Sequence, residues 1–135
     1  MTKEFDHVKD SGKEQSFGTG AVRDIQTGKG RFDLLPPYAL LRLAKHFENG
    51  ANRYRERNWE KGIPCSRYLD SALRHMVKVL MGFDDEDHEM AACWNLMCMI
   101  ETEVRIELGI LPEELNDLPT IYKEHFKEIF GEDDK

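Results

Sequence analysis

Positive charge is in short supply in this chain. Its 135 residues carry 19 Lys and Arg against 26 Asp and Glu, a formal net charge of −7. That deficit argues against broad, sequence-independent binding along a nucleic-acid backbone, which depends on neutralising many phosphates. It leaves room for a small phosphate ligand, held by a few cations or by a metal on carboxylates. Long apolar runs are missing too. None approaches the ~20 residues that span a bilayer, so no membrane partner is expected. Cysteine is sparse and odd in number, with Cys65, Cys93 and Cys98 alone. Two of them lie in an apolar run, which predicts core thiols in a reducing compartment rather than a disulfide framework. The first residues show no charged-then-apolar leader, and a cytoplasmic location is expected. Alternation of strand period is absent over any useful length, which points to an all-α class.

Several familiar chemical patterns are absent as well. Gly28-Lys29-Gly30 sits in a Gly-rich basic stretch, but a phosphate-binding P-loop needs Gly at position 23 and Ser or Thr at position 30, where this chain has Arg23 and Gly30. His88-Glu89 begins like a zinc-protease helix, yet position 92, where the second His belongs, is Ala92. The order Asp87-His88 is the reverse of the His-Asp dipeptide used by one class of phosphohydrolases, and no His-Asp occurs anywhere.

What is present is a series of helical patterns. Residues 1–17 are polar and aperiodic and are expected to be a flexible segment. A single domain is expected over residues 18–130, followed by an acidic tail at 131–135. Residues 18–36 hold four glycines together with Arg23, Lys29 and Arg31, which reads as a loop arm with at most a short extended piece. Pro36 and Pro37 suit the first turn of a helix running to Tyr54, with Leu40, Leu43, Ala44, Phe47 and Ala51 on one face. Arg42, Lys45 and His46 fall opposite, and Glu48 stands at the edge of the apolar stripe. Residues 55–64 read as a loop anchored by Trp59. A second helix is predicted over 66–81, with Leu69, Ala72, Leu73, Met76 and Leu80 as its buried face, His75 on the margin and Gly82 as its stop. A third, apolar nearly all round, runs over 90–108 and is central to a bundle. A last amphipathic helix covers 120–130. The architecture is thus a bundle of three main helices plus a C-terminal helix.

The plausible chemistry gathers where the second and third helices meet. Asp84, Asp85, Glu86, Asp87 and His88 open the third helix. Negative residues there oppose the helix dipole, and that role alone would account for them. Carboxylates one turn apart on a helix also suit a hard cation such as Mg²⁺. His75 and His88 could bind a transition metal. Asn95, two turns beyond His88, needs partners for its amide if buried. Tyr54 and Trp59 could stack on a base or only pack.

Three blocks in order make a resemblance. They are Gly18-x-Gly20-Ala21-x-Arg23 with Gly28-Lys29-Gly30-Arg31-Phe32-Asp33-Leu34-Leu35-Pro36; Gly50-Ala51-x-x-Tyr54-x-x-x-Asn58-Trp59-x-x-Gly62; and Ala72-Leu73-Arg74-His75, Gly82, Glu86-Asp87-His88 and Ala92-x-Trp94-Asn95. Together they resemble a phage-associated dATP/dGTP diphosphohydrolase family, similar to the all-α MazG-type pyrophosphohydrolases. The resemblance implies cleavage of a purine dNTP to dNMP and pyrophosphate, with Mg²⁺ (or Mn²⁺) on carboxylates, in a dimer or tetramer. The family's ligand set does not carry over directly and has to be chosen from Glu48, Glu86, Asp87 and Glu89; Glu48, Glu86 and Asp87 are expected to hold the metal, with Glu86, Asp87 and His75 catalytic. Lys29, Arg31 and Arg74 would hold pyrophosphate, while Tyr54, Asn58, Trp59 and Asn95 would meet the nucleoside. The chain departs from the MazG pattern of paired acids: Lys45 and Ala51 flank Glu48, and Phe83 follows Gly82. Two other readings stay open, a non-catalytic helical module that binds a nucleotide or host protein, and a broad-specificity house-cleaning NTP pyrophosphatase.

Overall fold

The computed structural model describes residues 7–131, which fall into two units divided after Pro36. In the first unit, β1 (Glu14–Ser16) pairs antiparallel with β2 (Val22–Asp24), Gln15 facing Arg23. Phe17 N–H donates to Ala21 O and Gly20 N–H to Phe17 O, both at 2.9 Å, and close the hairpin turn. Gly20 adopts φ +90°, a conformation that disfavours any side chain. The Asp24 carboxylate accepts from Ser11 and from Lys29, fastening the segments on either side of the hairpin. This hairpin crosses the boundary expected at residue 17. Strands of three residues, exposed on both faces, leave no period-two hydrophobic signal; backbone pairing holds them.

The second unit is helical, as the sequence predicts: α1 (Pro37–Tyr54), α2 (Cys65–Leu80), α3 (His88–Glu107) and α4 (Ile121–Phe130). The stops of α2 and α3 share one geometry. Gly82 and Gly109, at φ +80° and +74°, follow the last helical turn. Gly82 N–H donates to Val79 O and Phe83 N–H to Lys78 O, while Gly109 N–H donates to Ile106 O and Ile110 N–H to Arg105 O. Both are Schellman closures, which satisfy carbonyls that a helix end leaves orphaned. Asp87 caps the start of α3 by accepting from Met90 N–H at 3.2 Å.

The short link between α2 and α3 makes them an antiparallel pair: His75 meets His88 at the turn, and Tyr68 lies by Cys98 farther along. Their interface is the core, formed by Cys65, Tyr68 and Ala72 against Met90, Ala91, Ala92 and Cys98. Small residues on both sides allow close approach. Burial pushes the Cys98 thiol up to about 12, so it is an inert packing group. Tyr68 is equally buried, and its hydroxyl makes no hydrogen bond of ordinary geometry although Thr102 is its polar neighbour. The face expected to be buried on α2 is corrected here. Ala72 is buried, but Leu73, Met76 and Leu80 are 51%, 41% and 85% exposed, and Cys93 is exposed rather than core. Helical spacing finds an apolar stripe; which edge of it a neighbour covers depends on docking angle, and α3 covers the Tyr68–Ala72 edge.

α1 packs on α3 through Phe47, whose ring centroid lies 6.0 Å from that of Trp94. The link from α1 to α2 is pinned by charge. Arg57 pairs with Glu60 at 2.9 Å, and Arg105 of α3 lies over the Trp59 ring at 5.5 Å while pairing with Glu101 at 2.8 Å. Asp117 accepts from Ser66 N–H at 2.8 Å and so caps the start of α2 from a distant segment. In α4, Phe126 and Phe130 stack at 4.8 Å, while Ile121, Ile129 and Phe130 remain exposed. No described helix is long and apolar enough to cross a membrane.

Gly62 provides a test of this packing. It has φ +100°, and an added Cβ would lie 2.8 Å from Leu115 Cδ1. Gly62→Ala combines backbone strain with crowding and should lower stability by about 1–3 kcal/mol. Urea denaturation of the two proteins checks it; an unchanged midpoint contradicts the packing described.

Candidate functional site

Two groups of residues in the helical unit have the makings of a site. The first is at the α2–α3 turn. α2 presents His75 in its last turns, and the Schellman closure at Gly82 reverses the chain so that α3 begins beside it. His75 Nδ1 and His88 Nδ1 are 2.9 Å apart. Glu86 Oε1 lies 3.7 Å from the former and 4.0 Å from the latter. His88 is 2% exposed, and its other ring nitrogen, Nε2, is 2.8 Å from Asp85 Oδ1. The His88 bond holds the Asp85 carboxyl below its ordinary range, so Asp85 stays ionised. Burial pulls His75 below the usual imidazole value, outweighing the opposite pull of Glu86, so its neutral form is favoured. Among the described residues, His75, Glu86 and His88 form the group whose ligand atoms lie close enough together to hold a metal.

The other predicted metal ligands stand elsewhere. Asp87 accepts a two-pronged bond from Arg42 of α1, at 2.8 and 2.6 Å, as well as the capping bond from Met90 N–H. The Arg42 bond holds its carboxyl below the ordinary range. Glu89 adds a looser contact to the same guanidinium, at 3.9 Å. Arg42 thus joins α1 to the mouth of α3, a role the helical wheel hides because Arg42 falls on the polar face. Glu48 lies by a different cavity. Among the described residues, Glu48, Glu86 and Asp87 do not form a group close enough to hold a metal.

The second group lines two neighbouring cavities. One, of about 400 Å³, is walled by Phe47, Glu48, Tyr54, Asn58, Trp59 and Trp94. The other, of about 610 Å³, shares Tyr54, Asn58 and Trp94 and adds Tyr68, Asn95 and Asp117. Both volumes are in the range of small-molecule pockets. Every residue expected to meet a nucleoside thus borders one of them. Asn95 Nδ2 donates to Ala91 O at 2.8 Å, which ties up one amide hydrogen. Trp94 is the residue the sequence reading left without a role. It separates the cavities and packs against His46, Phe47 and Tyr68. Its place in the Ala92-x-Trp94-Asn95 block was the available signal. At the rim, Arg55 and Arg57 hold φ of +78° and +55°. Such backbone costs about 1–3 kcal/mol per residue and persists where the surroundings impose it.

The expected pyrophosphate cations are already paired. Arg74 bonds Asp70 at 3.0 Å and Ser71 at 3.1 Å on the surface of α2. Lys29 pairs with Asp24, and Arg31 makes a two-pronged bond to Asp33 at 2.8 and 2.7 Å, both within the N-terminal unit.

Comparison with known proteins fits this picture. Residues 19–109, two thirds of the chain, match the family model described as dATP/dGTP diphosphohydrolase, N-terminal. The chain belongs to this family. Among curated proteins and among solved structures no match is found. The family match takes in β2, all of α1, α2 and α3, the lining of both cavities except Asp117, and the His75–Glu86–His88 group. It ends at the Gly109 stop, so α4 lies outside it.

The two bonds of Asp87 separate by substitution. Asp87→Asn keeps a capping oxygen for Met90 N–H but loses the ion pair. Asp87→Ala loses both and should be less stable than the Asn variant by about 1 kcal/mol, the usual worth of an N-cap. Equal urea midpoints for the two would show that the cap contributes nothing.

Proposed function

We propose that this protein hydrolyses purine deoxynucleoside triphosphates of the dATP/dGTP type to dNMP and pyrophosphate, with a divalent cation. The observation that carries the proposal is the family match over 19–109. Its support in the structure is that the matched helices place an aromatic- and amide-lined pocket and a cluster of metal-type donors on one three-helix frame. In this reading the base enters between Tyr54, Trp59 and Trp94, where stacking suits any purine face. Asn58 and Asn95 supply the directional donors and acceptors that tell one base edge from another. Glu48, on the pocket wall, is placed to meet a cation or water that accompanies the nucleotide. Arg74 serves the departing pyrophosphate by exchanging its present Asp70 partner for phosphate oxygens; as an exposed pair this is weak and exchanges at small cost.

Hydrolysis at an α or β phosphorus asks mainly for positioning and charge neutralisation. A bound divalent ion would neutralise phosphate charge and lower the pKa of a bound water. His75, next to Glu86, is proposed as a positioning group at the α2–α3 turn. The expected Mg²⁺ trio is not gathered in the single chain, so no step is derived through it.

A homo-oligomer is part of the proposal. α2 exposes Leu73, Val77 and Leu80 at helical spacing, and α3 exposes Met97, Ile100 and Val104 likewise. Stripes of this kind are what a second copy would cover.

The test is a panel of dNTPs and NTPs with Mg²⁺ or Mn²⁺, assayed for dNMP and pyrophosphate. Purine dNTPs should be turned over and pyrimidines spared, and Trp94→Ala should cut kcat/KM for dGTP at least ten-fold. Thermal stabilisation by nucleotide with no product would favour the binding module. Equal rates on pyrimidine or non-canonical nucleotides would favour the house-cleaning enzyme. For the oligomer, light scattering should give a dimer or tetramer that Leu80→Asp shifts towards monomer; a monomeric wild type sinks that part.

A further inference from the structure

We propose that His75, Glu86 and His88 form a binding site for a borderline divalent transition ion, of the Mn²⁺, Co²⁺ or Zn²⁺ class, with Asp85 as the group that orients His88. This names the cation of the proposed reaction and so rests on that reading for its purpose. The site itself is argued from geometry.

Nitrogen ligands sit about 2.0–2.1 Å from such ions. Two ligands at that radius, seen from the ion at 90° to 110°, are about 2.9–3.4 Å apart. The two Nδ1 atoms are separated by 2.9 Å, and Glu86 Oε1 stands 3.7 and 4.0 Å from them. The nitrogens are thus at ligand spacing already, and the carboxylate, 53% exposed and on a turn, has about 0.3–1.1 Å to close to reach it.

The proton positions agree. The bond at 2.8 Å joins His88 Nε2 to a carboxylate oxygen of Asp85, which places a hydrogen on Nε2. Nδ1 is then the ring nitrogen left for a metal, and it faces His75 at 2.9 Å. A carboxylate behind a histidine in this manner is the usual way a ligating imidazole is held in the correct tautomer. Both Nδ1 atoms would be the ligand atoms for an ion, with a hydrogen of either ring carried on Nε2.

The donors also select the ion. Mg²⁺ demands oxygen ligands and sheds water reluctantly. Two imidazoles and one carboxylate suit Zn²⁺ or Co²⁺ best, and Mn²⁺ less well. Three protein ligands leave the remaining positions to water or a phosphate oxygen, which is the composition of catalytic rather than structural centres. The sequence patterns tested for zinc miss it because the two histidines come from different helices, 13 residues apart.

The experiment uses the full chain, stripped with chelator and free of nucleotide. Titration with Co²⁺, followed by its visible d–d absorption, should saturate at one ion per chain with a nitrogen-ligand spectrum. Calorimetry should show Zn²⁺ displacing Co²⁺, Mn²⁺ binding more weakly than Co²⁺ as the order of divalent affinities requires, and Mg²⁺ competing at least a hundred-fold more weakly. Glu86→Gln and His75→Gln should each weaken Co²⁺ binding at least ten-fold, and Asp85→Asn by ten- to a hundred-fold, the usual range for an orienting partner. Asp84→Asn, in the same acidic turn but outside the group, should bind as wild type. Should His75→Gln fail to fold, Glu86→Gln decides, since its side chain is mostly in solvent. Absence of a Co²⁺ spectrum, or binding that survives Glu86→Gln unchanged, overturns the site and leaves a plain His–His hydrogen bond. The two proposals fail separately. Tight Co²⁺ binding with no dNTP turnover retires the activity and keeps the site; turnover with Mg²⁺ and no Co²⁺ binding retires the site and keeps the activity.

Discussion

The structure depends on how His88 is held. It is the first residue of α3, almost wholly buried, and both ring nitrogens are engaged, one by Asp85 from the turn and one by His75 from α2. A buried imidazole with unsatisfied nitrogens would cost as much as a lost hydrogen bond or more. Satisfying it therefore sets the register in which the end of α2 meets the start of α3. The antiparallel core follows from that register, with Ala72, Ala91 and Ala92 allowing the helices close and Tyr68 lying against Cys98 and Thr102. A polar contact decides alignment here, while apolar burial supplies most of the stabilisation.

The same frame positions the pocket. Because α3 is central, its second and third turns carry Trp94 and Asn95 outward from the core to the cavities, and α1 supplies the opposite wall with Phe47, Glu48 and Tyr54. Arg42 closes the arrangement by joining α1 to the α3 cap. The link between α1 and α2 is held by a run of charges from Arg57 through Glu60 to Arg105, with Trp59 beneath the last guanidinium. Left-handed backbone at Arg55 and Arg57 is tolerated because this network fastens the segment on both sides.

Much of the helical unit was legible from local chemistry. Pro37 opens a helix and Gly82 and Gly109 close two, for reasons that need no neighbour: a preset φ in one case and a permitted positive φ in the others. The residues proposed for the nucleoside, Tyr54, Asn58, Trp59 and Asn95, do converge on adjoining cavities. Less legible were the roles of charge. Arg42 looks like a solvent-facing cation on a helical wheel, yet it reaches another helix. Asp85 looks like a dipole partner and instead orients a histidine. Asp87 looks like a metal ligand and has its oxygens taken by Arg42 and a backbone N–H. Charged side chains are long and choose among several partners, so one-dimensional spacing cannot rank their options.

The sequence by itself determined the class, the helix limits and the family blocks, because backbone conformational preferences, helical periodicity and turn residues act over a few positions. Only the tertiary structure decided which edge of α2 is buried, where Cys93 lies, and that Glu86 stands with two imidazoles while Asp87 stands with an arginine. Those outcomes depend on the angle and register at which α1, α2 and α3 dock. That geometry comes from the combined packing of small residues and the satisfaction of His88, and it has no local signature in the chain.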